Sequence, residues 1–352
     1  MPRSGDAVVA RLSLLDRWLP VWIAIAMGTG LILGAVFPGV DDLIDSARID
    51  TVSLPIAVGL LAMMYPVLAK VRYGRIKEEV GEKKVIVVTL LFNWVVGPLL
   101  MFVLAWTFLP DRADLRTGII IVGIAPCIAM VMIWNDLAFG NREVAAALVA
   151  INALIQIAAF ALYAWLLLDV LPGALGWDTT TIDVTPWEIA RSVIVFLGIP
   201  LVAGWASRRI GERRKGADWY DGVFLPRIGP VALYGLLFTI VCLFAMQGDR
   251  IIDDPLEVAR VALPLAVFFA VMWSAGFVVA ERTGLSYDKA VTVAFTAAGN
   301  NFELAIAVCI AVFGVGSGQA LAGTIGPLIE VPALVALVYV ALWARRRFPE
   351  RG

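Results

Sequence analysis

Ten apolar stretches divide this chain, and each is about long enough to cross a lipid bilayer as a helix. A bilayer core takes roughly 20 apolar residues per helix. Stretches of this length cover residues 19–38, 51–69, 85–109, 116–139, 143–171, 187–207, 228–247, 260–281, 290–313 and 319–343. Hydrophobic residues make up 61% of the chain and charged residues only 16%, whereas soluble domains have about half and about a quarter. The pattern predicts an all-α, polytopic membrane protein with a single domain over residues 1–352.

Basic residues are distributed unevenly between the alternate loops that these stretches define. Of the 28 basic residues, 22 lie in the two tails and in the loops at 70–84, 140–142, 208–227 and 282–289. The loops on the opposite side carry only Arg48, Arg112, Arg116, Arg250 and Arg260. Loops rich in Lys and Arg stay in the cytoplasm. Both termini are therefore predicted to be cytoplasmic, in a multi-pass protein of the plasma (inner) membrane.

The composition excludes several classes of function. The chain has no histidine, which excludes zinc hydrolases, histidine-based triads and histidine proton relays. A net charge of −1 gives no basic excess for a nucleic-acid partner. Cys127, Cys242 and Cys309 all lie in apolar stretches, which argues against a disulfide scaffold and a CxxC metal site. We expect no cofactor, and carboxylates or thiols remain for proton handling.

An acidic motif raises the alternative of a membrane enzyme. Residues 41–45 read Asp-Asp-Leu-Ile-Asp, and residues 253–257, Asp-Asp-Pro-Leu-Glu, echo them. Membrane prenyltransferases use such clusters to hold magnesium and a diphosphate. Both clusters fall in predicted external loops with little basic charge nearby for a diphosphate. We interpret them as solvated turns and predict that the protein is not an enzyme.

Two of the apolar stretches are interrupted at matching positions. The interruptions are Val-Gly-Ile-Ala-Pro-Cys at 122–127 and Thr-Ala-Ala-Gly-Asn-Asn-Phe-Glu at 296–303. A shift of 174 residues, from Cys127 to Asn301, also takes Gln156 to Glu330. Inverted repeats with matching broken helices are typical of secondary transporters with a site at the membrane midplane. The alternative is that Gly and Pro are simply common in membrane helices, which leaves the shared register unexplained.

The sequence thus predicts two inverted five-helix repeats, approximately 15–172 and 186–345, with broken helices 4 and 9. An odd number of spans in each half requires the second half to insert upside down.

Three polar residues fall near the centres of predicted spans. They are Cys127, Glu303 and Glu330, and a carboxylate at that depth costs roughly 2.5 kcal/mol or more, so it is usually functional. Pro126 has no amide hydrogen, so the carbonyl of Val122 is predicted to lose its helical partner. Cys127 is then expected to begin the second half-helix, whose free amides favour a thiolate, while burial favours the neutral thiol. For Glu330 the alternative is a structural carboxyl bonded to a neighbouring helix.

Further polar residues are candidates for binding a substrate or lining a polar path. Asn300 and Asn301 tolerate an irregular backbone and present side-chain amides to a ligand. The weaker candidates lie on three other predicted spans and are Asn93, Asn152 and Trp134. Asn135 is expected to be solvated at a helix end, and Cys242 and Cys309 are expected to be core residues.

The interrupted sequences resemble those of the Acr3 arsenite transporters. The similar segments are Gly-Ile-Ala-Pro-Cys-Ile-Ala-Met-Val-Met-Ile-Trp-Asn-Asp-Leu-Ala at 123–138, Ala-Phe-Thr-Ala-Ala-Gly-Asn-Asn-Phe-Glu-Leu-Ala at 294–305 and Gly-Pro-Leu-Ile-Glu-Val-Pro at 326–332. The resemblance covers essentially the whole chain. It implies ten spans in inverted repeats, akin to bile-acid-type symporters, and efflux of arsenite and sometimes antimonite coupled to proton entry. It also implies that Cys127 and Glu303 are the family's essential cysteine and glutamate.

The chemistry of arsenite is compatible with these residues. Near neutral pH arsenite is an uncharged trihydroxide, and a soft thiolate binds As(III) with high affinity. Cys127 is therefore a candidate for a transient As(III) thiolate ligand, and a single thiol permits release. Arsenite, protons and membrane lipid are the expected partners. The main alternative is a cation-coupled symporter of a small organic anion with the same fold, but neither interrupted motif contains Lys or Arg.

The charge asymmetry generates a test of the topology. A reporter that is active only in the cytoplasm is expected to score inside when fused after residue 352. The same reporter should score outside when inserted in the loop at 172–186. The opposite result at either point would reject the ten-span arrangement.

Overall fold

Helices make up almost all of the computed structural model, which describes residues 18–37, 39–46, 48–49, 52–72, 83–177 and 185–346. The helices are α1 (Leu19–Val36), α2 (Val40–Asp45), α3 (Leu54–Ala69), α4 (Lys83–Phe108), α5 (Ala113–Gly123), α6 (Val131–Leu137), α7 (Arg142–Ala174), α8 (Pro186–Lys215), α9 (Leu225–Asp253), α10 (Pro255–Arg282), α11 (Tyr287–Ala298), α12 (Phe302–Phe313) and α13 (Gly318–Arg345). Two short strands, β1 (Arg48–Ile49) and β2 (Val52–Ser53), pair antiparallel ahead of α3.

The all-α class is confirmed, and each predicted span coincides with helix. In the described part of the chain, α4, α7, α8, α10, α13 and the segment containing α9 are long and apolar enough to cross a membrane. Helices α1, α3 and α12 are shorter but apolar. The protein is thus a polytopic membrane protein. The strand pair was not predicted: the second span was expected from residue 51, whereas residues 52–53 are extended and α3 begins at Leu54.

Several predicted features lie outside the described residues. They are most of the two tails, most of the loop at 70–84, residues 178–184 and the aspartate side chains of the 41–45 motif.

Proline positions explain four wider turns, three within the long helices and one in the segment that leads into α9. The π-helical turns are Phe92–Val96, Leu166–Val170, Ile194–Gly198 and Tyr220–Phe224, and each ends two residues before a proline. Because proline has no amide hydrogen, the carbonyl four residues earlier loses its partner, and a local π-turn absorbs the mismatch. For Pro98 that carbonyl belongs to Trp94, and the Tyr163 hydroxyl donates to it at 2.6 Å. The same bond links α4 to α7.

The helices pack in two groups. In the peripheral group, α9 packs along α1 and α3. In the crossing group, α10 packs against α4, α11 and α13, while α13 also packs against α5 and α12. Helix α8 contacts both groups, since its first half packs on α7 and α12 and its second half on α3. The two broken helices therefore lie together in the crossing group.

A buried arginine ties one corner of the peripheral group together. The Arg208 guanidinium donates to the main-chain oxygens of Ala69 and Lys70 at 3.3 and 3.0 Å. It pairs with Asp221 at 3.1 Å and lies 4.7 Å from the centre of the Tyr220 ring. The last carbonyls of a helix have no partner within the helix and favour a cation. Arg208 thus joins the end of α3 to α8 and to the segment that leads into α9.

Close packing of α5 on α13 requires a glycine. A Cβ atom on Gly118 would lie 2.7 Å from both the Cβ of Ala322 and the main-chain oxygen of Gln319. Main-chain atoms cannot move away as a flexible side chain can, so this contact fixes the position of the first half of the broken helix.

We expect Gly118→Ala to lower the free energy of unfolding by about 1–3 kcal/mol, because the added methyl group overpacks the contact. Gly28→Ala in α1 is the matched control, since nothing lies within 4 Å of the added Cβ and alanine favours a helix. Thermal unfolding of the purified proteins in detergent measures both effects. Equal midpoints for the two variants would contradict the assigned contact.

Candidate functional site

The two interrupted helices meet where their helical hydrogen bonding stops. Helix α5 ends at Gly123 and α6 begins at Val131, while α11 ends at Ala298 and α12 begins at Phe302. The segments between them, residues 124–130 and 299–301, lie side by side, and we call them the crossing. The interruptions predicted at both motifs are therefore present.

A pair of reciprocal main-chain hydrogen bonds holds the crossing together. The amide of Cys127 donates to the carbonyl of Gly299 at 2.9 Å, and the amide of Asn301 donates to the carbonyl of Ala125 at 2.6 Å. Pro126 and Asn300 face each other in this short antiparallel bridge. The bridge satisfies backbone groups that the breaks remove from their helices, which buried backbone requires.

The two asparagines of the second motif stabilise both breaks. The Asn300 side chain donates from Nδ2 to the carbonyl of Val122 at 3.0 Å, the group predicted to lose its helical partner to Pro126. That carbonyl also accepts from the amide of Ala125 at 3.1 Å. Asn301 caps α12, since its Oδ1 accepts from the amide of Leu304 at 3.1 Å. Both side chains therefore have structural roles at the crossing.

Gln156 of α7 links the two segments of the crossing. Its Nε2 donates to the carbonyl of Pro126 at 2.6 Å, and its Oε1 accepts from Nδ2 of Asn301 at 3.2 Å. The side chain is fully buried. The sequence related Gln156 to Glu330 through the 174-residue shift, but it gave no sign of these two bonds.

The Cys127 thiol is buried in the crossing, with 1% of the residue exposed. Its sulfur accepts from the amide of Val131 at 3.3 Å. The prediction that Cys127 begins the second half-helix is wrong, because α6 begins four residues later and the sulfur instead contacts its first amide. The amide of Cys127 is bonded to Gly299 across the bridge and not within a helix. A Cβ on Gly299 would lie 2.9 Å from the Cβ of Cys127, so glycine is required opposite the thiol.

Two carboxyl groups lie near the thiol. Glu303 is the second residue of α12 and is 6% exposed. Glu330 is fully buried in α13. The two carboxyls and the Cys127 thiol are close enough to interact electrostatically. The main-chain amide of Asn300 approaches Glu330, but neither Glu330 oxygen completes a hydrogen bond with any residue that the structure describes. The transport role of Glu330 stays a prediction.

The weaker candidates are buried polar groups with unused hydrogen-bonding capacity. Oδ1 of Asn152 accepts from Nε1 of Trp94 at 3.3 Å, but its Nδ2 has no partner among the described residues. Both polar atoms of Asn93 and Nε1 of Trp134 likewise have none within that part of the chain. A buried polar atom without a hydrogen-bond partner costs about 1–3 kcal/mol of stability. Its presence therefore needs an explanation, such as a bound ligand or water. The structure shows no hydrogen bond from the side chain of Asn93 or Trp134 to the crossing among the described residues.

Asn135 was expected to be solvated, and that prediction is wrong. It is fully buried, and its Oδ1 accepts from the hydroxyl of Thr292 at 2.7 Å. The chain reverses tightly after α6, with a positive φ of 60° at Phe139. Gly140 then passes so close to Asn135 that an added Cβ would collide with its side chain. The partner lies on α11, so the local sequence held no signal for this burial.

Another polar contact joins α11 to the start of α7. Nδ2 of Asn141 donates to the carboxylate of Asp288 at 2.9 Å, and the Asn141 amide donates to the Thr292 hydroxyl at 2.9 Å. Partial burial acts to raise the pKa of Asp288, but hydrogen bonds from Ser286 and Asn141 outweigh it, so the pKa lies below its usual value. Asp288 lies in the predicted loop at 282–289. Its bond to Asn141 helps to fix the start of α11, which is the first half of the second broken helix.

The remaining cysteines lie elsewhere in the core. Cys242 in α9 and Cys309 in α12 are buried, which confirms that both are core residues. Within the described ranges, no three cysteine, aspartate or glutamate side chains are grouped as metal ligands would be. The described site therefore offers one thiol, Cys127, with carboxyl and amide groups around it.

Comparison with known proteins identifies the family. A family model described as the sodium bile acid symporter family matches residues 57–254. An arsenical-resistance protein Acr3 of Corynebacterium glutamicum is 54% identical over 334 residues, which cover 95% of this chain and 90% of that protein. An arsenical-resistance protein Acr3 of Alkaliphilus metalliredigens is 32% identical over 351 residues, with coverage of 96% and 95%. An uncharacterized transporter of Synechocystis sp. is 35% identical over 366 residues, with coverage of 97% and 92%.

These matches confirm the resemblance seen in the interrupted motifs. They extend over nearly the full length of this chain and of each relative. The chain therefore belongs to the Acr3 family of arsenical-resistance proteins, related to the sodium bile acid symporters, and it is a membrane transporter and not an enzyme.

Proposed function

We propose that the protein extrudes arsenite from the cytoplasm by proton antiport, with the substrate bound at the crossing. The observation that carries the proposal is the buried Cys127 thiol, which lies within electrostatic range of Glu303 and Glu330. A soft sulfur ligand suits trivalent arsenic. Two of the relatives are named arsenical-resistance proteins, which supports the same substrate here.

Binding at Cys127 is a ligand exchange that balances without a further reactant. An As–S bond forms, one As–OH bond breaks, and the thiol proton leaves with the hydroxide as water. The other two hydroxyls of arsenite can donate to carboxylates, and the unpartnered amide groups of Asn93 and Asn152 are further candidate ligands in this proposal. One sulfur ligand leaves the exchange reversible, as a carrier requires. Antimonite is a trihydroxide of the same shape and is expected to use the same site.

The symmetry of the crossing supports the inverted-repeat arrangement. Under the 174-residue shift, the bond from the Cys127 amide to Gly299 maps onto the bond from the Asn301 amide to Ala125. Such a reciprocal pair is what an approximate two-fold axis between the two halves of the chain would produce. We propose ten spans in two inverted repeats, at approximately 15–172 and 186–345, with both termini in the cytoplasm. Movement of the peripheral group against the crossing would then expose the site alternately.

Glu303 is the carboxyl that we propose carries the proton. No histidine is available, and Glu303 lies directly after the second break, in the first turn of α12. In the proposed cycle it accepts a proton from outside and releases it inside, where arsenite takes its place. A symporter of a small organic anion would need a cationic side chain at the crossing, and residues 122–130 and 296–303 contain neither Lys nor Arg.

Cys127→Ser is expected to abolish or severely reduce arsenite efflux while leaving membrane insertion intact, because oxygen cannot replace the soft sulfur ligand. Replacing Cys242 and Cys309 together by alanine should retain most activity. Both are measured as arsenite accumulation in cells whose own arsenite exporters are deleted. Normal efflux by Cys127→Ser would remove the thiol from the mechanism.

Glu303→Gln should abolish arsenite transport driven by a pH gradient, because the amide permanently mimics the protonated carboxyl. Glu330→Gln is the comparison and is expected to be milder. Arsenite uptake into everted vesicles, with and without a pH gradient, measures both. Wild-type coupling in Glu303→Gln would exclude Glu303 from the proton path and transfer the role to Glu330.

A further inference from the structure

We propose that Gln156 is a positioning residue, whose side-chain amide holds both segments of the crossing and thereby orients Cys127 for arsenite. This inference rests on the proposed function. Gln156 donates from Nε2 to the carbonyl of Pro126 at 2.6 Å and accepts at Oε1 from Asn301 at 3.2 Å. One side chain on α7 is therefore bonded to both breaks at once.

The bond to Pro126 acts directly on the peptide unit of the reactive cysteine. The carbonyl of Pro126 and the amide of Cys127 belong to the same planar peptide group. Gln156 holds the carbonyl end, and Gly299 accepts from the amide end at 2.9 Å. With both ends bonded, the plane is restrained and the direction of the N–Cα bond of Cys127 is set, while the bond from the Val131 amide to the sulfur holds the side chain.

The other end of the Gln156 amide supports the second break. Asn301 donates to Gln156 from Nδ2 and uses its Oδ1 to cap α12. Glu303 follows two residues later in the first turn of that helix. Gln156 therefore connects the segment that carries the thiol to the helix end that carries the carboxyl.

An amide can make both bonds at any pH, because its donor and its acceptor do not depend on a titration. The site needs a donor towards Pro126 and an acceptor towards Asn301, and an ionised carboxylate is only an acceptor. A buried carbonyl without a donor is costly. At the position that the 174-residue shift relates to Gln156, the second half has Glu330, which completes no hydrogen bond among the described residues. The two halves thus place a bonded amide and an unbonded carboxyl at equivalent positions.

The test compares Gln156→Leu and Gln156→Glu in protein that also carries Cys242→Ala and Cys309→Ala, so that Cys127 is the one thiol. The leucine variant removes both hydrogen bonds and is expected to raise the half-saturating arsenite concentration roughly 10-fold. Its Cys127 should also react with a maleimide at a rate different from that in the parent protein. Arsenite exchange is measured in proteoliposomes with the same pH on both sides.

The glutamate variant separates hydrogen bonding from packing. When protonated, the carboxyl can donate to Pro126 and accept from Asn301, whereas the ionised form repels the Pro126 carbonyl. Arsenite exchange by Gln156→Glu, relative to the parent at the same pH, should therefore decrease as the pH rises from about 5.5 to about 8.5. Buried carboxyls titrate in this range. A purely structural residue would give parallel pH profiles. This arm decides the question even where the leucine variant fails to fold.

Gln247 provides the matched control. It is also a buried glutamine, and its Nε2 donates to a main-chain carbonyl, that of Val315, at 2.7 Å. Gln247→Leu should leave the maleimide reaction of Cys127 and the half-saturating arsenite concentration unchanged. The proposal would be overturned by equal effects at both glutamines, by a Gln156→Leu variant that behaves like the parent protein, or by parallel pH profiles for Gln156→Glu and the parent. Absence of arsenite exchange in the parent protein would instead reject the proposed function, and the maleimide rates would still decide the role of Gln156.

Discussion

The reciprocal main-chain hydrogen bonds between the two broken helices are the contact on which the rest of the site depends. Non-helical backbone within a membrane protein is tolerated where protein groups satisfy it, and the bonds from Cys127 to Gly299 and from Asn301 to Ala125 do so at 2.9 and 2.6 Å. Because each segment completes the other, neither break is satisfied alone. Asn300 and Gln156 then bond the carbonyls of Val122 and Pro126, which places polar groups of both halves around a single thiol.

The two halves of the chain contribute different chemistry to the crossing. The first half supplies the Cys127 thiol and the second supplies the carboxyls of Glu303 and Glu330. In the proposed cycle this difference lets one half bind arsenite while the other exchanges a proton. The peripheral group has its own internal ties, such as Arg208 at the end of α3. Two groups that are each held together internally are suited to moving as units against one another.

Much of the fold could be predicted from the sequence because its signals are local. Apolar length located the helices, and Gly and Pro located both breaks. Residue type and position selected Cys127, Glu303 and the two asparagines as candidates, and the structure brings them together at the crossing. The predicted start of the second half-helix at Cys127 was wrong. The first break extends to Val131, and it includes a bridge to residues about 170 positions away. The burial of Asn135 against Thr292 and the two hydrogen bonds from Gln156 to the crossing also depend on partners that are distant in the sequence. No periodicity or motif records such pairings.

Arsenic X-ray absorption on the purified protein tests most directly whether arsenite is held at the crossing by one thiol. The Cys242→Ala/Cys309→Ala protein would be loaded with arsenite, freed of unbound arsenite, and compared with the same protein carrying Cys127→Ser. The account predicts one sulfur neighbour and otherwise oxygen around the bound arsenic, with the sulfur lost in the serine variant. An oxygen-only environment in the protein that retains Cys127 would contradict it.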